Sequence, residues 1–149
     1  MAFYYLDTSA LVKLYVREPG TERLLALAAR SSETRLAILA LAQVELRSAV
    51  RRRERTGEIP SPVASQLLET FGRHVEGRFL VQMVTDFVLD RSCALVDSYA
   101  LRAFDAVQLA GYMVLKSAGG PDVPVFVCSD QELLSAAERE GALVLDPCS

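Results

Sequence analysis

The chain has 149 residues, 51% hydrophobic and 23% charged, with 8 glycines and 6 prolines; this composition requires a folded core and excludes a disordered, collagenous or low-complexity protein. Sixteen Lys+Arg against nineteen Asp+Glu leave a net charge of -3, which excludes the strong overall positive field of a passive nucleic-acid binder. No apolar run reaches the ~18 residues a membrane span needs. Three cysteines without C-x-x-C spacing suit neither a disulfide framework nor a thiolate zinc site. The first residues carry no basic leader, so a soluble cytoplasmic protein is expected.

Residues 3–6 are short, aromatic and apolar and read as a strand, and Asp7-Thr8-Ser9 supplies acceptors for the open amides of a helix over 10–16. Pro19-Gly20-Thr21 punctuates before a second helix that ends near Arg30. Residues 35–39 read as a second strand, followed by a helix over 41–55 closed by Gly57. Ser61-Pro62 has the pattern of an N-cap with a first-turn proline, opening a helix through Leu67, Leu68 and Phe71. A third strand is expected at 79–84. Helices at 86–96 and 102–117 follow, the second apolar nearly all round and therefore interior. After Gly119-Gly120-Pro121, the β-branched run 123–128 reads as a buried strand, 129–140 as a helix and 142–145 as a last short strand. Strands alternating with helices imply one three-layer α/β/α domain over 1–149, with a central parallel sheet of about five strands.

Open parallel sheets bind ligands beyond the carboxyl ends of their strands, and acids recur there. Asp7 ends the first strand, Glu45 lies in the first turns of the helix after the second, and Asp130 follows the 123–128 strand; Asp105 opens the near-apolar helix. Each has a plainer explanation alone. Asp7 and Asp105 can cap helices, Glu45 can pair with Arg47 or Arg52, and Ser129 with Glu132 fits a capping box that leaves Asp130 an ordinary first-turn residue. Gathered in one cleft, however, four like charges repel unless a cation sits among them, and carboxylates without histidine or thiolate suit a hard ion, Mg²⁺ or Mn²⁺. The lone histidine, His74, sits in a polar stretch and reads as a surface residue. Tyr4, Tyr5, Tyr99 and Tyr112 read as packing residues.

The blocks Asp7-Thr8-Ser9-Ala10-Leu11-Val12-Lys13, Val44-Glu45-Leu46-Arg47-Ser48-Ala49, Leu101-Arg102-Ala103-Phe104-Asp105-Ala106-Val107-Gln108-Leu109-Ala110 and Ser129-Asp130 together resemble the PIN domain, specifically VapC-type toxins of toxin–antitoxin pairs. The resemblance implies a metal-dependent endoribonuclease, a hydrolase on a five-stranded parallel sheet, usually dimeric and held inactive by a small VapB-like antitoxin. It places the acidic pocket on Asp7, Glu45, Asp105 and Asp130, with Thr8, Ser9 and Ser129 as supporting hydroxyls. Asp7 and Asp130 are assigned as the closest ligands of Mg²⁺ or Mn²⁺. Gln108 stands where many relatives place a histidine and is read as peripheral. Arg51, Arg52 and Arg55, beyond Glu45 on the same helix, are candidate contacts for an RNA backbone, against a solvated helix end that merely complements the C-terminal dipole. Apolar residues around Leu11, Leu14 and Tyr15 exceed what a small sheet needs and suit a homodimer face or an antitoxin groove. The other readings are a catalytically silent PIN-fold binding partner and a receiver-like phosphoacceptor domain. The latter expects paired acids after the first strand and a lysine after the last, where this chain has Asp7-Thr8-Ser9 and Cys128-Ser129-Asp130.

Overall fold

A computed structural model describes all the residues, Met1–Ser149. In chain order the elements are β1 (Ala2–Leu6), α1 (Thr8–Val12), α2 (Thr21–Ala29), β2 (Thr34–Leu39), α3 (Ala42–Arg55), α4 (Ser61–Gly77), β3 (Phe79–Gln82), α5 (Asp86–Ser98), α6 (Ala103–Ser117), β4 (Val125–Val127), α7 (Gln131–Arg139) and β5 (Leu143–Leu145). The five strands form one sheet in the order β3-β2-β1-β4-β5, every pair parallel. This is the expected α/β/α architecture.

The two-residue period of a strand builds both cores. In β1, Phe3 and Tyr5 face one side of the sheet while Tyr4 and Leu6 face the other; in β2, Ala37 and Leu39 alternate with Leu36 and Ile38 in the same way. Val88 and Leu95 of α5, Leu109 and Tyr112 of α6 and Leu133 of α7 complete the first core. Leu11 of α1, Leu24 of α2, Leu46 and Val50 of α3 and Leu68 and Phe71 of α4 complete the second. Each fully buried Leu, Val or Phe contributes about 1.5–3 kcal/mol relative to exposure. Gly111 lets α6 lie close on the sheet, because a Cβ there would stand 2.6 Å from both Leu39 Cδ1 and the Tyr5 hydroxyl. No helix is long and apolar enough to cross a membrane. All three cysteines are unpaired.

Several ends differ from expectation, each for a local reason. The helix expected over 10–16 is the shorter α1 at Thr8–Val12: it starts earlier because Asp7 provides the cap, and it stops earlier because the amides of Lys13, Leu14 and Tyr15 bond only three residues back, to Ala10, Leu11 and Val12. At α4 the cap position is Pro60, with extended backbone; Ser61 lies inside the helix and makes no capping bond. The ladder of β4 starts only at Val125, since Pro124 has no N–H to donate. The residue capping α7 is Asp130, whose side chain accepts from Leu133 N, so the Ser129–Glu132 capping box does not form.

Candidate active site

The carboxyl ends of β1, β2 and β4 lie side by side, and the residues that follow them meet there. Asp7 is 4% exposed; its Oδ1 accepts from Ser9 Oγ at 2.7 Å and from Ala10 N at 2.9 Å. Ser9 Oγ in turn accepts from Ser129 N at 3.1 Å, tying the β1 and β4 ends together. Glu45, half-buried on the first turns of α3, receives Thr8 Oγ1 at 2.8 Å and Gln108 Nε2 at 3.0 Å, both on Oε1. Asp105 is half-buried in the first turn of α6 and takes no part in capping it, the cap position being Arg102. Asp130 is exposed, and Oδ1 accepts from Leu133 N at 3.1 Å. Asp7, Glu45 and Asp130 therefore each commit one oxygen to the protein, while the other accepts no hydrogen bond.

The four acids share one electrostatic field. Burial lifts the Asp7 carboxyl from 3.8 to about 6; hydrogen bonds from Ser9 and Ala10 oppose the rise, and the charge on Asp105 adds to it. Asp105 is pushed up chiefly by burial, then by Asp130 and Glu45, with Arg102 opposing. None of the four takes part in an ion pair; the chain's ion pairs all join other residues. Nor do any three His, Cys, Asp or Glu side chains close into a ready-made metal cage. The arrangement is a concentration of negative charge with free oxygens and no ion-paired cation.

The structure brings Asp7, Thr8, Ser9, Glu45, Asp105, Ser129 and Asp130 to this one end of the sheet. It also corrects one expectation. Gln108 is not peripheral: it is 2% exposed and donates through Nε2 to both Glu45 and Thr8, the latter at 2.9 Å. The signal for it was its place three residues after Asp105, one helical turn along the same face. The arginines divide. Arg51 is held by Glu54 at 3.0 Å, whereas Arg52 and Arg55 are exposed and unpaired. His74 is exposed as expected, its Nδ1 2.7 Å from the Tyr15 hydroxyl. Tyr5 and Tyr112 are fully buried packing residues.

With this geometry in view, likeness to known proteins becomes informative. The PIN domain family profile matches residues 4–112. The chain belongs to the PIN domain family. The matched stretch contains Asp7, Glu45 and Asp105 of this PIN domain, and Asp130 follows on the β4–α7 connection. Solved structures extend the likeness of fold across nearly the whole chain. A toxin–antitoxin complex from Klebsiella pneumoniae is 17% identical with a TM-score of 0.63, covering 97% of each chain. FitAcB from Neisseria gonorrhoeae is 16% identical with a TM-score of 0.67, again over 97% of each. VapBC-1 from nontypeable Haemophilus influenzae is 14% identical with a TM-score of 0.63 over 99% of each. No curated protein matches the sequence itself.

Proposed function

We propose that this PIN domain is a metal-dependent endoribonuclease and the toxin half of a toxin–antitoxin pair. The observation that carries the reading is the gathering of four carboxylates from separate stretches of chain at one end of a parallel sheet, without a single cationic side chain paired to them. The fold it shares with proteins named as toxin–antitoxin and VapBC complexes supports the toxin assignment. The donor set fits a hard divalent ion, Mg²⁺ or Mn²⁺. Such an ion keeps several of its waters and needs only one or two carboxylates directly, so it does not require the closed cage that these side chains do not form.

Asp7 and Asp130 would hold the cation through their uncommitted oxygens, with Glu45 and Asp105 as further ligands or as acceptors for its waters. A divalent cation there supplies Lewis acidity, activating water and offsetting the charge that builds on phosphorus in an RNA phosphodiester. Ser9 and the Ala10 amide fix the Asp7 carboxylate, and Ser9 bonds to the Ser129 amide, so the β1 and β4 ends are held in register. Thr8 fixes Glu45. Arg52, seven residues beyond Glu45 and so on the same face of α3, and Arg55 would meet the departing phosphate backbone. A groove of about 210 Å³ lined by Leu14, Tyr15, Leu25, Ala28, Leu36 and Phe79, together with His74 and Arg78, would be the place for a largely apolar antitoxin segment. A second copy of the chain as homodimer partner belongs to the same proposal.

Asp7→Asn tests the reading, because the amide keeps size and hydrogen-bond acceptance but loses the charge. With Mn²⁺ and total cellular RNA, its cleavage rate is expected to fall at least about 100-fold at unchanged far-UV dichroism. Wild-type turnover by that variant refutes the nuclease site. EDTA-reversible cleavage by the unaltered chain separates an enzyme from a silent PIN-fold binding partner.

A further inference from the structure

A glutamine amide is expensive to bury unless every donor and acceptor is matched. Gln108 lies on the buried face of α6 beside Leu109, Ala110 and Tyr112, and its amide is matched in a directional way. Tyr5 donates its hydroxyl to the Gln108 backbone carbonyl at 2.9 Å, with the side-chain Oε1 farther off at 3.5 Å. The opposite end, Nε2, meets Glu45 Oε1 and Thr8 Oγ1. A carboxylate only accepts, so the end of the amide that faces Glu45 is the nitrogen. Thr8 spends its own proton on the same Glu45 oxygen. Two donors from different elements thus converge on Oε1, and Oε2 is left without one.

We infer that Gln108 is a positioning residue of the acidic site, holding Glu45 in one orientation from inside the core so that a single carboxylate oxygen stays available to a divalent cation. The inference rests on the nuclease reading above. Apart from the Thr8 and Gln108 bonds, Glu45 is tethered only by its own flexible side chain on α3. Fixing it beforehand removes the ordering entropy that cation binding would otherwise incur. Because α6 also carries Asp105 one turn earlier, one helix delivers an acid and the group that steers a second. The backing of Tyr5 ties this arrangement to the central strand of the sheet.

The test uses the full chain and Gln108→Met, which keeps volume and apolar packing but removes the donor. Mn²⁺ affinity is measured by calorimetry, and RNA cleavage kinetics are measured at saturating Mn²⁺. Mn²⁺ binding is expected to weaken about 10–100-fold and kcat to fall by a similar factor, with KM for RNA unchanged within about twofold. A purely structural role for the glutamine predicts loss of folded protein instead, with no such division between kcat and KM. Thr8→Val, at a half-buried position outside the core, removes the other donor to the same oxygen and is expected to show the same signature even if the methionine variant does not fold. Folded variants whose Mn²⁺ affinity and kcat match the unaltered chain overturn the positioning role alone. An unaltered chain that binds no Mn²⁺ and cuts no RNA overturns the nuclease reading, and this role with it.

Discussion

Asp7 carries two burdens at once, capping α1 and contributing a buried charge, and pH separates them. Its folded value of about 6 lies above the 3.8 of an unfolded chain, so between those values the folded state holds a proton that the unfolded state has released. Stability therefore declines as pH rises from about 4 to about 6 and then levels off; the penalty at neutral pH is about 3 kcal/mol at most, from 1.36 kcal/mol per unit. In metal-free protein, Asp7→Asn is expected to melt at a higher temperature than the unaltered chain at pH 7.5 and to show a shallower decline, the remainder coming from Asp105, since asparagine still accepts from the Ala10 amide. Thermal scans in EDTA from pH 4 to 7.5 decide it, and a variant melting no higher at pH 7.5 would contradict the account. The four acids were legible in the sequence because each ends a strand or opens a helix. Gln108 was legible only as a residue one turn beyond Asp105 on the same helix face; its partners were not, because they lie 63 and 100 residues away in the chain.

At the scale of elements, the same division between shape and charge recurs at α7. Asp130 caps this helix with an oxygen that asparagine can supply equally well, whereas alanine cannot. Asp130→Ala should lose about 1 kcal/mol of stability and Asp130→Asn only a few tenths, while both lose cleavage because both lose the charge. Urea midpoints measured beside an RNA cleavage assay check this; equal midpoints for the two variants would show that the cap contributes nothing. Element type was readable almost throughout, because periodicity persists over many residues. Ends were less so. Asp7, Thr8 and Ser9 are all good caps by type, and only the structure shows Asp7 to be the one used. At α7, serine followed by Asp130 offered two competing caps, and the choice fell to the residue whose backbone is extended at the helix start.

For the whole molecule, net charge conceals distribution. The chain is acidic overall, yet α3 runs from Glu45 at the acidic end to a cluster of arginines at the other, two of them exposed and unpaired. The Arg52→Glu, Arg55→Glu double variant is expected to weaken RNA binding and to reduce the magnitude of its salt slope by about 1.4, at 0.7 per single-strand phosphate contact. Affinities measured from 50 to 200 mM salt test this, and an unchanged slope rules out backbone contact by these residues. Arg51 is left out because Glu54 already holds it. The parallel topology was inferable from the alternation of strands and helices. Strand order was not, since nothing local in residues 2–6 announces which strands will flank them.

That order has a consequence for the nascent polypeptide. β1 sits mid-sheet, joined on one edge to β2 and on the other to β4, with Tyr4 opposite Val125. β1 keeps one edge bare until Val125–Val127 has been translated, and Asp130 arrives only after the strand that fills that edge. A ribosome-bound fragment that stops short of Asp130 therefore carries an acidic site lacking one of its four carboxylates, on a sheet whose central strand is still half unpaired.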